Sequence, residues 1–251
     1  ATHTPRLPNS STTEESTPIS SNNYEIVVDP GNVEVEKGTN LIVVARFPAR
    51  LPETATLQMV NQAGQTSQLP MNRSLDDPLF GINIYEVNEP LEYSIQYDNL
   101  NSETYRIDVF EFPELLQADA HLEYPDYTGQ SAKTIADTRR VAAVEGTELT
   151  WICHLNKSVE KATLATPSGD PLELTADPQD PLRYRVTIPL TKNQRWKLQL
   201  VDYENRSNKT PPELVVKVTP NKPAQVKLKA PQDLRVSPIE EVTLEATVSD
   251  D

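Results

Sequence analysis

Alternation of apolar and polar residues dominates this chain. Across 39–47, Leu41, Val43, Ala45 and Phe47 occupy every second position, so a strand there turns all four to one face. Leu91, Tyr93, Ile95 and Tyr97 repeat the pattern in 91–98, Leu149, Trp151, Cys153 and Leu155 in 147–155, and Trp196, Leu198 and Leu200 in 195–202. Shorter stretches of the same kind predict strands at 24–28, 33–36, 55–60, 81–87, 104–110, 118–124, 161–166, 182–189 and 213–219. Turn-forming residues punctuate them at 29–32, 61–64, 99–102 and 202–207. Helical periodicity is absent except for a single turn expected over 113–117, and 125–137 reads as irregular.

The strands recur as a set. EKGTNL at 36–41 returns as VEGTEL at 144–149, Ala55-Thr56-Leu57 as Ala162-Thr163-Leu164, and Asp77-Pro78-Leu79 as Asp180-Pro181-Leu182. These pairs lie 103 to 108 positions apart. A period of that size with strand-like filling predicts tandem β-sandwiches. In the penultimate strand the apolar row is one register out from a fixed 104-residue offset, which predicts a bulge or inserted residue there. Arg235-Val236 through Leu244 lines up with Arg140-Val141 through Leu149, so a third copy begins near Lys222. The expected organisation is a flexible Ser/Thr/Pro-rich leader at 1–22, sandwiches at 23–112 and 113–220, and the start of a third, truncated, at 221–251. Joints at 111–116 and 219–223 are short and contain proline, which predicts a semi-rigid rod.

Charge divides unevenly between the repeats. The chain carries 37 acidic and 23 basic residues, a net charge of −14. Residues 1–112 hold 16 acidic and 6 basic side chains, and 113–251 hold 21 and 17. Acidic surface of this kind repels phosphate backbones, so nucleic acid is not the expected partner. No apolar run approaches the roughly 18 residues of a membrane-spanning helix, and the N-terminal residues do not read as a signal peptide.

Little catalytic chemistry is legible. Cys153 is the single cysteine, which rules out an intrachain disulfide and, in an apolar row, reads as a core thiol. The histidines are His3, His121 and His154, without metal-ligand spacing. The seven glycines are scattered and build no phosphate-binding or nucleophile motif; Gly38 and Gly146 fit turns. Trp151 and Trp196 fall in core rows, whereas a sugar platform needs exposed rings. Tyr124 and Tyr127 are candidates for a surface patch. Sequons at Asn9, Asn72, Asn156, Asn205 and Asn208 are about as frequent as this composition gives by chance. Adjacent carboxylates at Asp76, Asp77, Asp250 and Asp251 are candidates for calcium, where converging oxygens would be needed. No catalytic residue and no cofactor is expected.

The segment LEYPDYTGQ (122–130), followed by VEGTELTW (144–151) and by RVSPIEEVTL (235–244) with SDD (249–251), resembles a repeated module of large uncharacterised bacterial membrane-anchored proteins of planctomycete type. The resemblance covers roughly 115–251. It implies an all-β, extracytoplasmic array of immunoglobulin-like or fibronectin III-like β-sandwiches, held by a membrane segment outside this chain, with no catalytic residues to transfer. The expected function is a structural or adhesive ectodomain with a protein or cell-envelope partner. The alternative is a carbohydrate- or calcium-binding accessory module of a larger enzyme.

Overall fold

A computed structural model of the chain describes residues 25–166, 169–222, 224–229, 239 and 245–249. The leader expected at 1–22, most of the third copy, and Asp250 and Asp251 lie outside the described residues. The chain divides into two compact units, with the boundary between Glu111 and Phe112. Each has its own apolar core, and no residue is common to the two.

Module one contains β1 (Val27–Asp29), β2 (Val33–Glu36), β3 (Thr39–Arg46), β4 (Ala55–Asn61), β5 (Thr66–Pro70), β6 (Asn72–Arg73), β7 (Leu79–Val87), β8 (Leu91–Tyr97), β9 (Leu100–Asn101) and β10 (Tyr105–Phe110). One sheet runs β1-β3-β7-β6 and the other β2-β10-β8-β4-β5, with β9 paired to β8. The turn at 29–32 moves the chain from one sheet to the other. β1 pairs antiparallel with β3, whereas β2 pairs parallel with β10. The alternating rows meet between the sheets, where Val43, Ala45, Leu57, Ile95 and Ile107 have no solvent exposure or almost none. Phe47 packs edge-on against Phe80 and Tyr97, with ring centroids 6.0 and 5.2 Å away, the arrangement that aromatic quadrupoles favour.

Module two repeats this plan with β11 (Leu115–Glu123), β12 (Lys133–Ile135), β13 (Arg140–Val144), β14 (Glu148–Leu155), β15 (Lys161–Ala165), β16 (Leu172–Glu173), β17 (Thr175–Asp177), β18 (Asp180–Pro189), β19 (Gln194–Val201) and β20 (Glu213–Thr219). Its sheets run β12-β11-β14-β18-β17 and β13-β20-β19-β15-β16, and β13 again pairs parallel with β20. Trp151, Trp196, Cys153, Leu149, Leu164 and Leu198 fill its core. The Tyr184 hydroxyl crosses the core to donate to the Val159 carbonyl at 3.0 Å and accept from its N–H at 2.9 Å. Two sheets with this order and with the first strand split between them make each module an immunoglobulin-like β-sandwich. Beyond module two, β21 (Gln225–Leu228) and β22 (Ala246–Ser249) form a separate antiparallel pair.

Four sequence expectations change. The turn expected over 113–117 is instead the approach to β11, which begins at Leu115; Asn156 fixes it by accepting the Glu114 N–H and donating to the Phe112 carbonyl. The irregular stretch over 125–137 contains a 3₁₀ turn (Asp126–Thr128) and β12, which folds back on β11. β5, β6, β16 and β17 were not predicted, because each is a short strand or one whose side chains are largely exposed, leaving a faint apolar signal; β9 falls in the turn expected over 99–102, and β13 was also missed, although its Val141 and Ala143 are buried. Finally, β19 pairs with β15 without a break, so no bulge sits in the penultimate strand. Leu57 faces Ile95 and Leu164 faces Leu198, which places the true offset of that strand at 103, and the length difference falls in the loops.

Candidate functional site

Of the calcium candidates, only Asp76 and Asp77 fall among the described residues. Asp76 and Asp77 lie on the exposed loop between β6 and β7, where their N–H groups approach the Ser74 hydroxyl oxygen at 3.4 and 3.3 Å. Among the described residues no group of three or more His, Cys, Asp or Glu side chains is placed to hold a metal. Trp151 and Trp196 are buried, so neither ring is presented to a sugar. Tyr124 packs against the core, and Tyr127 is exposed with its hydroxyl donating to the Glu145 carbonyl at 2.9 Å.

His121 and His154 both lie on the outer face of β11 and β14, each with a separate partner. His154 Nε2 is 3.0 Å from Asp119 Oδ2, and His121 Nδ1 is 2.9 Å from the Thr134 hydroxyl oxygen. Burial opposes the charge of Asp119, but hydrogen bonds from Gln117, the Asp137 N–H and His154 outweigh it and hold the carboxyl below its ordinary range. This carboxylate fastens the β12 excursion to β11. Cys153 is fully buried, and burial pushes its thiol up to about 12, which makes it inert as a nucleophile at neutral pH. A depression of about 820 Å³ lies in module one; its lining includes Met59, Gln65, Ser67, Tyr85, Glu86 and Asn88, and no histidine, cysteine or lysine.

What distinguishes the surface is charge on matching faces. Three backbone hydrogen bonds recur in both modules: Lys37 to Phe110 as Glu145 to Thr219, Gly38 to Val87 as Gly146 to Leu190, and Met71 to Ala55 as Leu174 to Ala162. Together with the strand registers they fix equivalent positions. Glu92 corresponds to Arg195, one residue before Tyr93 and Trp196, and Ser94 corresponds to Lys197. Asp108 corresponds to Lys217, Glu34 to Ala142 and Asn32 to Arg140.

In module one, the outer face of the β2-β10-β8-β4-β5 sheet carries Glu34, Glu36, Glu92 and Asp108 against Arg106, a net charge of −3. Arg106 Nε donates to Asp108 Oδ1 at 2.7 Å. In module two, the outer face of the β13-β20-β19-β15-β16 sheet carries Arg140, Lys161, Arg195, Lys197 and Lys217 against Glu173 and Glu213, a net charge of +3. Arg195 reaches Glu213 at 3.5 Å. Among the described residues Arg140 and Lys217 make no ion pair. Arg140, Arg195 and Lys217 surround a shallow groove of about 380 Å³ floored by Ala142 and Val215. Sequence reasoning missed this face because its five cations come from four strands and look scattered along the chain. The signal was present only as the smaller acidic excess after residue 112.

No protein-family model matches the chain, and no curated protein is similar to it. Among solved structures it is similar to a marsupial T cell receptor, with TM-score 0.44 and 10% identity over 82% of this chain and 78% of that one. It is also similar to the I9–I11 tandem from titin, with TM-score 0.30 and 7% identity over 82% and 68%. The fold assignment rests on the sheet order and register given above.

Proposed function

We propose that this chain is a non-catalytic structural and protein-interaction region of a larger extracytoplasmic protein of bacterial, planctomycete type, anchored through a membrane segment outside these residues and acting as a spacer that also binds. The observation that carries this reading is the charge reversal between equivalent sheet faces. Both cores are filled, so the outer faces and edges of the sheets are the surfaces left to recognise a partner. A protein of net charge −14 that gathers five cations on one flat face has a surface suited to an acidic partner. Interfaces of this kind gain orientation and association rate from complementary potentials.

The test is retention of solubilised cell-envelope proteins on the immobilised chain across a salt series. The control is the chain carrying R195E and K217E. Salt-sensitive retention that the control loses supports the reading. No retention, or equal retention by both chains, overturns it.

A further inference from the structure

The two charged faces are alike in more than position. Each is the outer surface of a sandwich sheet whose main path of five strands has the same order, including the parallel pairing at its first strand; β9 adds a sixth strand in module one. The sheets therefore share their direction of twist. One face bears −3 and the other +3, counted from the side chains named above. The signs change at Glu92 against Arg195 and at Asp108 against Lys217. At other equivalent places a charge in one module stands where the other has a neutral residue, among them Glu34 against Ala142, Arg140 against Asn32 and Lys197 against Ser94. Ala142 leaves the groove open where Glu34 projects in module one. The other large outer face of module two, on β11, β14 and β18, mixes Asp119, Glu123, Glu148, His121, His154, Arg183 and Arg185 and has no single sign.

We propose that the basic sheet face of module two docks the acidic sheet face of module one in a second copy of this chain. The proposal rests on the interaction reading above and names its partner. Arg195, Lys197 and Lys217 meet Glu92, Asp108 and Glu34 across the contact, and the Ala142–Val215 groove receives the acidic side chains. Contacts between two copies of the same face bring like charges together and are disfavoured, so the association is heterologous. Such a contact forms closed pairs or rings where the geometry closes and open chains where it does not. The overall acidity of each copy opposes approach only weakly at physiological salt, because the screening length is about 8 Å, and the local patches decide.

Sedimentation of the full chain over a concentration series, in physiological and in molar salt, tests this. Association that weakens with salt is expected. Two variants follow: R195E/K217E, which makes both faces acidic, and E92K/D108K, which makes both basic. Each variant alone is expected to associate at least about tenfold more weakly, while an equimolar mixture of the two regains association. Circular dichroism and melting curves confirm that both variants fold. A wild-type chain that stays monomeric at every concentration in physiological salt overturns the proposal, as does a mixture that behaves like its separate components. If the wild type stays monomeric yet retains envelope proteins through the basic face, the copy-to-copy contact falls and the broader interaction reading stands.

Discussion

The hydroxyl of Tyr127 donates to the carbonyl of Glu145 at 2.9 Å, and this bond joins the two sequence motifs that the resemblance rests on. Tyr127 belongs to the YPDYTG segment and Glu145 to the EGT turn. The same two segments approach again at Pro125 and Gly146: a Cβ added to Gly146 would stand 3.2 Å from Pro125 Cγ. The motifs are separated in sequence because the β12 excursion lies between them.

Gly146 has φ +87° and Gly38, its counterpart, φ +78°, a region that costs an L-residue about 1–2 kcal/mol. Gly38→Ala should lose about that much, since its nearest neighbour, Asn88 Oδ1, would be 3.9 Å from the new Cβ. Gly146→Ala should lose more, because Pro125 has to give way as well. Urea unfolding followed by indole fluorescence for module two, which holds both tryptophans, and by tyrosine signal for module one ranks the pair.

Tyr184→Phe removes one hydroxyl and leaves both the N–H and the C=O of Val159 without it. A cost of about 2 kcal/mol is expected in module two, the usual penalty for stranding buried backbone groups. A comparable buried hydroxyl in module one, that of Tyr93, makes a single bond to the Gly31 carbonyl at 2.9 Å, so Tyr93→Phe should cost less. Equal losses at the two sites would show that the paired contact to Val159 carries no extra stability.

Cys153 should resist thiol reagents in the native protein, since its thiol is buried and pushed up to about 12. One thiol per chain should then react on denaturation, and its appearance should coincide with the loss of tryptophan signal. Rapid labelling under native conditions would contradict the core position.

Asp202 links stability to pH. Its carboxyl is fully buried, and that burial favours the neutral form. The Lys157 ammonium at 2.8 Å and the N–H groups of Arg206 and Glu204 at 2.8 and 3.0 Å outweigh it. The folded-state pKa is therefore below the ordinary 3.8. A depressed folded value stabilises the protein above the unfolded-state pKa, and that stabilisation is lost as pH falls through the folded value. Module two should lose melting temperature as the pH drops below about 4. Asp202→Asn should lower the neutral-pH melting temperature by several degrees and flatten this acid dependence. A variant with the wild-type pH profile would remove Asp202 from the account.

Any effect of millimolar calcium on the melting temperature, relative to magnesium, should be the same in the wild type and in D76N/D77N. Asp76 and Asp77 sit on an exposed loop without a third ligand among the described residues. A calcium-specific rise of several degrees that D76N/D77N abolishes would place a site favouring the folded state on this loop.

The sequence by itself determined the strands that line the cores. Rows such as Val43, Ala45 and Phe47, or Trp196, Leu198 and Leu200, are legible because a strand turns alternate residues to one face and burial selects apolar side chains there. The repeat was legible for the same reason, since both copies fill the same core positions. β5, β13 and the β12 excursion were not, because their side chains are largely solvated or their pairing partners are far along the chain. Tertiary structure alone decided which polar residues stand together. Arg140, Lys161, Arg195, Lys197 and Lys217 become one face only when β13, β20, β19 and β15 align side by side. Hydrogen-bonded strands lie about 4.8 Å apart however distant they are in sequence, so the charge pattern of a sheet is a property of register and order, which no local pattern contains.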